Sequence, residues 1–297
     1  MAKAKAKAKA KAPSRPTVEE LYFRSDSAYL CLILNNRTKF VRVIDFRAGA
    51  LPAKRLYIQS VGKKEGIKKV ITLVEKDEVS SWVKVGFTRE GTIPGFYKRS
   101  DGHLCGCVIG DDENATVSDA GVRLAERTIN RAKKVIKDYP AKVKGAQAVQ
   151  VDEDEALKAR EEVWNGDAGL HTFDTFGRDA RRAYYKLSYK KTEPNYLSAE
   201  YQDCFGHSLI EILRRPADEN ERKAVLNGLR VLGEWLTERG IVSGFLFIPS
   251  DDEELAGMLL AAGYRKTGLL AGCLEVGNER KDAILWTRKF ANPAEDG

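Results

Sequence analysis

The sequence predicts an α/β protein made of two similar halves, each a mixed sheet flanked by helices, and three observations carry that prediction. The first is the stretch from Ser208 to Gly268, which alternates strand, helix, strand and helix. Leu209, Ile210 and Ile212 form an apolar strand, and Val225, Leu229, Leu232 and Leu236 fall at i, i+4, i+7 and i+11 of a helix from about Glu219 to Arg239. Such a stripe has to lie on a sheet. The second is a repeated plan: Gly66-Ile67, a strand, Asp77-Glu78 and Gly86-Phe87-Thr88-Arg89-Glu90-Gly91 have counterparts in Gly240-Ile241, a strand, Asp252-Glu253 and Gly263-Tyr264-Arg265-Lys266-Thr267-Gly268. The third is size: 297 residues at 43% hydrophobic content supply a core for each half.

Residues 1–17 open the chain as a low-complexity tail of alternating Ala and Lys closed by Pro13 and Pro16, expected to be disordered because like charges repel and nothing is available to bury. The formal net charge is +7, and Lys3, Lys5, Lys7, Lys9, Lys11 and Arg15 supply six of those charges, leaving +1 for the rest. Any nucleic-acid contact is therefore expected to be weak, non-specific and confined to residues 1–17. The tail serves equally well as a plain solubilising segment.

Residues 21–110 are expected to form the first half. Two apolar runs, Tyr29 to Leu34 and Phe40 to Ile44, flank Asn35-Asn36-Arg37 as a hairpin. A helix follows from about Ala50 to Lys64, then a β-branched strand from Val70 to Val74, a short helix from Asp77 to Val85 stopped by Gly86, and two closing strands. Residues 111–149 read as a connecting helix and linker: Ser118 is a suitable N-cap, Val122, Ala125, Ile129, Ala132 and Ile136 make one buried stripe, and 140–149 has linker composition. Residues 150–291 are expected to form the second half, with a helix from Asp152 to Trp164, a second helix from Arg178 to Tyr189, and a hairpin from Tyr196 to Leu213 leading into the opening stretch.

Five cysteines (Cys31, Cys105, Cys107, Cys204 and Cys273) contain no C-x-x-C pair and sit mostly among apolar neighbours, the pattern of reduced core thiols in a cytoplasmic protein. No run approaches the roughly 18 apolar residues of a membrane span, so no membrane partner is expected. His103, His171 and His207 lack ligand spacing, and no metal site is expected.

The order hairpin, long helix, strand, short helix, Gly-aromatic and strand pair resembles the GNAT superfamily of N-acetyltransferases. The closest likeness is to the beta-lysine N-acetyltransferases, in which a degenerate N-terminal copy precedes an acetyltransferase domain. Asn35-Asn36-Arg37, Val70 to Glu75, Gly86 to Phe96 with its Ile93-Pro94-Gly95-Phe96, and Asp282 to Trp286 carry it. The resemblance implies tandem GNAT-like mixed sheets and transfer of an acetyl group from acetyl-CoA to a small amine, lysine-like or β-lysine-like, by direct attack without a metal.

It also implies site residues. The family's phosphate-binding motif falls on Asn220 to Val225, so Asn220, Arg222, Lys223 and Ala224 become cofactor-binding candidates, although both motif glycines are missing. Arg222 and Lys223 would offer charge at a helix N-terminus. The usual Tyr acid falls on Leu259, and on Trp82 in the first copy, neither of which donates a proton to a thiolate. Glu211 matches the place of a general base, with Asp203 and His207 as second choices. Backbone N–H groups at Ile212 and Leu213 would hold the thioester carbonyl. Without the resemblance, Glu211 fits an exposed edge position equally well. Asp152, Asp154, Tyr184 and Tyr185 could line an amine pocket. The missing glycines and Tyr equally suit a degenerate acetyltransferase fold that binds without catalysis. If the tail touches nucleic acid, deleting residues 1–17 abolishes retention on a DNA column and leaves the melting temperature unchanged.

Overall fold

The computed structural model describes residues 16–290 except 27, 48, 50–51, 111–114, 166–168, 203–204 and 278. The first half runs β1 (Val18–Arg24), β2 (Tyr29–Asn35), β3 (Phe40–Asp45), α1 (Pro52–Glu65), β4 (Lys69–Val74), α2 (Val79–Lys84), β5 (Thr88–Ile93) and β6 (Gly102–Val108). After α3 (Asp119–Val135), the second half runs β7 (Gln147–Val151), α4 (Glu153–Asn165), β8 (Arg181–Ser188), β9 (Asn195–Tyr201), β10 (His207–Ile212), α5 (Glu219–Glu238), β11 (Ser243–Pro249), α6 (Glu253–Ala261), β12 (Arg265–Val276) and β13 (Glu279–Lys289).

All the strands join one sheet in the order β1-β2-β3-β4-β6-β5-β12-β13-β11-β10-β9-β8-β7. Read outward from the β5–β12 junction, the two sides repeat each other. β5 and β12 are followed by β6 and β13, then β4 and β11, then β3 and β10. In each half a long helix, α1 or α5, crosses between the parallel pair β3–β4 or β10–β11, and every other neighbour is antiparallel. The repeated Gly motif thus corresponds to a repeated topology.

The reason the motif ends in glycine is visible at the junction, where Gly268 pairs with Gly91. A Cβ on Gly268 would lie 2.6 Å from the Glu90 carbonyl oxygen and 2.7 Å from the Gly91 Cα. Only two hydrogen-sized side chains let the two halves approach this closely. Beside the junction, Lys69 donates to both oxygens of Glu90 at 2.6 and 2.7 Å, and Glu90 also accepts the Ala271 N–H at 3.1 Å. Burial pushes the Glu90 carboxyl up and Lys69 pulls it back. Removing either partner would leave a buried charge unpaired, a loss of about 3–5 kcal/mol.

Each half has its own helix-side core. In the second, Val225, Leu229, Leu232 and Leu236 of α5 are fully buried against Ile210, Ile212, Leu246 and Ile248, as the stripe predicts. Ala125 and Ala132 of α3 enter this same core, and Ser118 caps α3 by accepting the Gly121 N–H. The opposite faces of the two halves meet each other: Ile71, Leu73, Ile93 and Leu104 pack with Leu209, Phe245, Phe247 and Leu285 in one cluster.

Three expectations are corrected. Residues 178–189 do not form a helix. They alternate, with Ala183, Tyr185 and Leu187 entering the α5-side core and Tyr184 packing on α4, a period of two that makes a strand. The 140–149 linker already contains the start of β7, and order begins before Leu21, because Thr17 and Pro16 accept hydrogen bonds from Asn36. Residues 1–15 of the expected tail lie outside the described residues.

Candidate functional site

Strands β10 and β11 are bonded in parallel only across His207–Ser243, Ser208–Gly244 and Leu209–Phe245, and beyond that they part. β9 occupies the other edge of β10, taking the Leu213 N–H on the Tyr196 carbonyl at 2.9 Å. The gap between β10 and β11 is filled by the segment after α4. Leu170 N–H donates to Leu213 O at 2.8 Å, and Gly169 bridges Arg214 antiparallel. His171 then crosses the gap. Its Nε2 lies 2.7 Å from the Phe247 carbonyl oxygen, and its Nδ1 lies 2.9 Å from Ile212 O and 3.2 Å from Ile212 N. A carbonyl only accepts, so Nε2–H donates to Phe247 O, while Nδ1 lies against the Ile212 peptide, nearer its carbonyl oxygen than its N–H.

A cavity of about 90 Å³ opens beside this imidazole, between the two halves. Its walls include Glu211, Asp174 and Arg42 together with Phe40, Phe176 and Phe247. Glu211 is not an edge residue: it is buried on an interior strand, where Arg182 bonds its Oε2 and Ser198 Oγ approaches the same oxygen at 3.3 Å. Arg182 also reaches Glu200 and the Asp174 carbonyl, both at 2.7 Å. Burial works against the charge on Arg182, and Glu211 and Glu200 more than reverse it, raising its pKa. Asp174 receives Arg160 at 3.2 Å and Asn35 of the first half at 3.0 Å, so the network spans both halves.

His207 has a different role. Its ring stacks on Phe96 with centroids 3.6 Å apart, and Nδ1–H donates to Phe96 O at 3.0 Å, which also accepts the Gly206 N–H. The Ile93 to Phe96 turn is thereby docked onto the second half, with Gly95 at φ +66° against Val242. Burial, aided by the Arg42 charge, lowers the His207 pKa to about 3, so the ring is neutral. Asp203, the other second choice for a base, lies outside the described residues.

The start of α5 is closed by acids. Asp218 accepts the Glu221 N–H at 2.8 Å, and Glu221 accepts the Ala217 N–H at 2.8 Å and binds Arg214 through both oxygens at 2.8 and 3.0 Å. This is a variant of the capping box, with Asp218 and Glu221 in its two acidic places. Arg215 pairs with Asp252 at 2.7 Å, Arg222 with Glu254 at 3.0 Å and Lys223 with Glu219 at 2.5 Å. A diphosphate would meet carboxylates here, and the basic side chains around it are already taken, so these residues do not fit the diphosphate of CoA.

Among the other candidates, Asn220 lies in this acidic first turn and Ala224 is buried in the α5 stripe. Leu259 is wholly buried in the core of α6, and Trp82 packs edge-on against Phe87. The proposed carbonyl donors at Ile212 and Leu213 are occupied by His171 and Tyr196 O. Tyr184 and Asp152 line one cavity with Arg160 and Glu200, while Tyr185 points to the opposite face toward α5 and Asp152 also caps α4 on the Glu155 N–H, so two of the four residues suggested for an amine pocket share a cavity. Sequence reasoning missed His171, Asp174 and Arg182. Only the D-x-x-E spacing of Asp218 and Glu221 signalled the closed helix start.

Among the described residues no helix is long and apolar enough to cross a membrane, and no group of three or more His, Cys, Asp or Glu is placed to hold a metal ion. No protein-family model matches the chain, and no curated protein matches it in sequence. Among solved structures it is similar to an N-acetyltransferase acting on spermidine/spermine from Vibrio cholerae (8% identity, TM-score 0.38, 49% of this chain and 93% of that one). It is similar also to the ribosomal-protein-S18-alanine N-acetyltransferase from Escherichia coli (11% identity, TM-score 0.37, 51% of this chain and 98% of that one).

If the low His207 pKa is set by its docked position, protonation favours the unfolded chain at acidic pH. The unfolded ring binds a proton below the ordinary histidine value of 6.5 and the folded ring only near 3, so stability falls as pH drops through that window. The expected slope is about 1.4 kcal/mol per pH unit. Urea titrations across this range, compared between the wild type and His207→Phe, should show that component lost in the variant.

Proposed function

We propose that this chain is an N-acyltransferase acting on a small amine, with the acceptor held in the cavity between its two halves. The parting of β10 from β11 carries this reading, because it separates two strand edges, bridged by His171, beside a buried carboxylate, Glu211. An acetyl thioester would supply the activated acyl group. Glu211 would accept the ammonium proton, held in position by Arg182 and Ser198. Asp174 would add a second negative charge, and Phe40, Phe176 and Phe247 would keep water out. The compact volume favours a primary amine on a slender chain, a class that includes lysine-like and β-lysine-like acceptors.

The closed start of α5 favours a second reading, a degenerate acetyltransferase fold that binds its amine without turning over a thioester. The acids there stand where a diphosphate would need donors, and the tail's loose affinity for nucleic acid would then be an accessory property.

Titration calorimetry with acetyl-CoA and with S-acetylpantetheine, which lacks the diphosphate, followed by a free-thiol assay over a panel of small primary amines, separates the two. Acyl transfer predicts binding of at least one thioester and amine-dependent thiol release, with kcat reduced about 10²–10⁴-fold in Glu211→Gln while donor affinity is kept. Amine binding with neither thioester bound at millimolar concentration would establish the second reading instead.

A further inference from the structure

We propose that His171 is a latch on the β10–β11 gap: its imidazole occupies the places that a linear amide-bearing ligand would take on the two strands, and such a ligand binds by displacing the ring into the neighbouring cavity. The inference rests on the acyl-transfer reading, in which the amide-rich arm of a thioester donor is that ligand.

Hydrogen-bond matching is the first support. The ring meets Phe247 O with Nε2 and the Ile212 peptide with Nδ1, so one side chain covers the strand groups left facing each other where β10 and β11 part. A secondary amide has one donor and one acceptor, so a ligand amide can donate to one of these carbonyls and accept the Ile212 N–H in the ring's place.

Only the side chain needs to move. The backbone around it is tied down by Leu170 N–H to Leu213 O, by the buried Leu170 side chain, and by Trp164 Nε1–H to His171 O at 3.0 Å. The ring has somewhere to go, since His171 itself lines the cavity of about 90 Å³. A water needs on the order of 10–15 Å³ by this kind of measure, so the space holds several and accepts a ring at their expense. Glu211 and Asp174 on the same walls offer acceptors for the displaced Nε2–H, so the imidazole would not be stranded without a partner. The described arrangement is on this account the closed state, and donor affinity is reduced by the fraction of molecules that hold it.

The test is calorimetric titration of S-acetylpantetheine, which has the amide arm and lacks the diphosphate that α5 refuses, into the full chain and two variants. His171→Ala removes the latch. His171→Asn keeps a polar side chain too short to bridge both strands, and it serves alone if circular dichroism shows that His171→Ala does not fold. The latch predicts at least tenfold tighter binding in His171→Ala and a smaller gain, several-fold, in His171→Asn. Affinities equal to wild type within twofold would overturn the latch while leaving the acyl-transfer reading intact. Absence of binding by all folded forms at millimolar ligand would overturn the acyl-transfer reading, and the latch with it.

Discussion

The close contact of Gly91 with Gly268 is the constraint on which the rest of the molecule depends. It lets β5 pair with β12, and that one pairing turns two six- or seven-stranded sheets into a continuous sheet of thirteen strands. Because sheets twist, so long a sheet curls, and its inner faces meet in the cluster that contains Leu73 and Leu209. The cavity beside Glu211 exists because of that meeting: Phe40 and Arg42 come from the first half, and Glu211 and Phe247 from the second. The buried Lys69–Glu90 pair and the His207–Phe96 stack fasten the same interface from two other positions.

The two halves treat their parallel strand pairs differently. In the first, β3 and β4 stay paired from Phe40–Lys69 to Val43–Thr72, and Tyr97 OH donates to Leu73 O at 2.9 Å just beyond. In the second, His171 bridges Ile212 and Phe247. A parted strand pair leaves buried backbone groups without a ladder partner, and a side chain drawn in from elsewhere satisfies them. The same reasoning accounts for α5, whose orphan N–H groups are met by Asp218 and Glu221 rather than left for an anion. The second half therefore closes both its parted strands and its helix start with its own residues.

Much of this architecture was legible in the sequence because it depends on local periodicity and on glycine. The stripe on α5, the hairpin around Asn35-Asn36-Arg37 and the doubled Gly-aromatic motif each have a local physical cause. The segment 178–189 departs from the helix expectation because Arg favours helix and Tyr favours strand, and the pairing with β9 and β7 decides for a period of two. Glu211 was singled out by the family resemblance, but its burial was not foreseeable, since the half that helps to cover it lies more than a hundred residues away. His171 gave no signal at all: a histidine in a loop acquires its role only when two strands remote in sequence part on either side of it. His207 was taken for a candidate base, and its neutral, docked state follows from Phe96, which is equally remote.

If the Gly91–Gly268 contact holds the halves together, a side chain there should uncouple them. The most direct measurement is differential scanning calorimetry of the wild type and Gly268→Val, whose added carbons would strike the Glu90 carbonyl and Gly91. The account predicts one cooperative transition in the wild type, with calorimetric and van't Hoff enthalpies equal, and two separate transitions in the variant. A variant that still unfolds in a single transition at the wild-type temperature would contradict it.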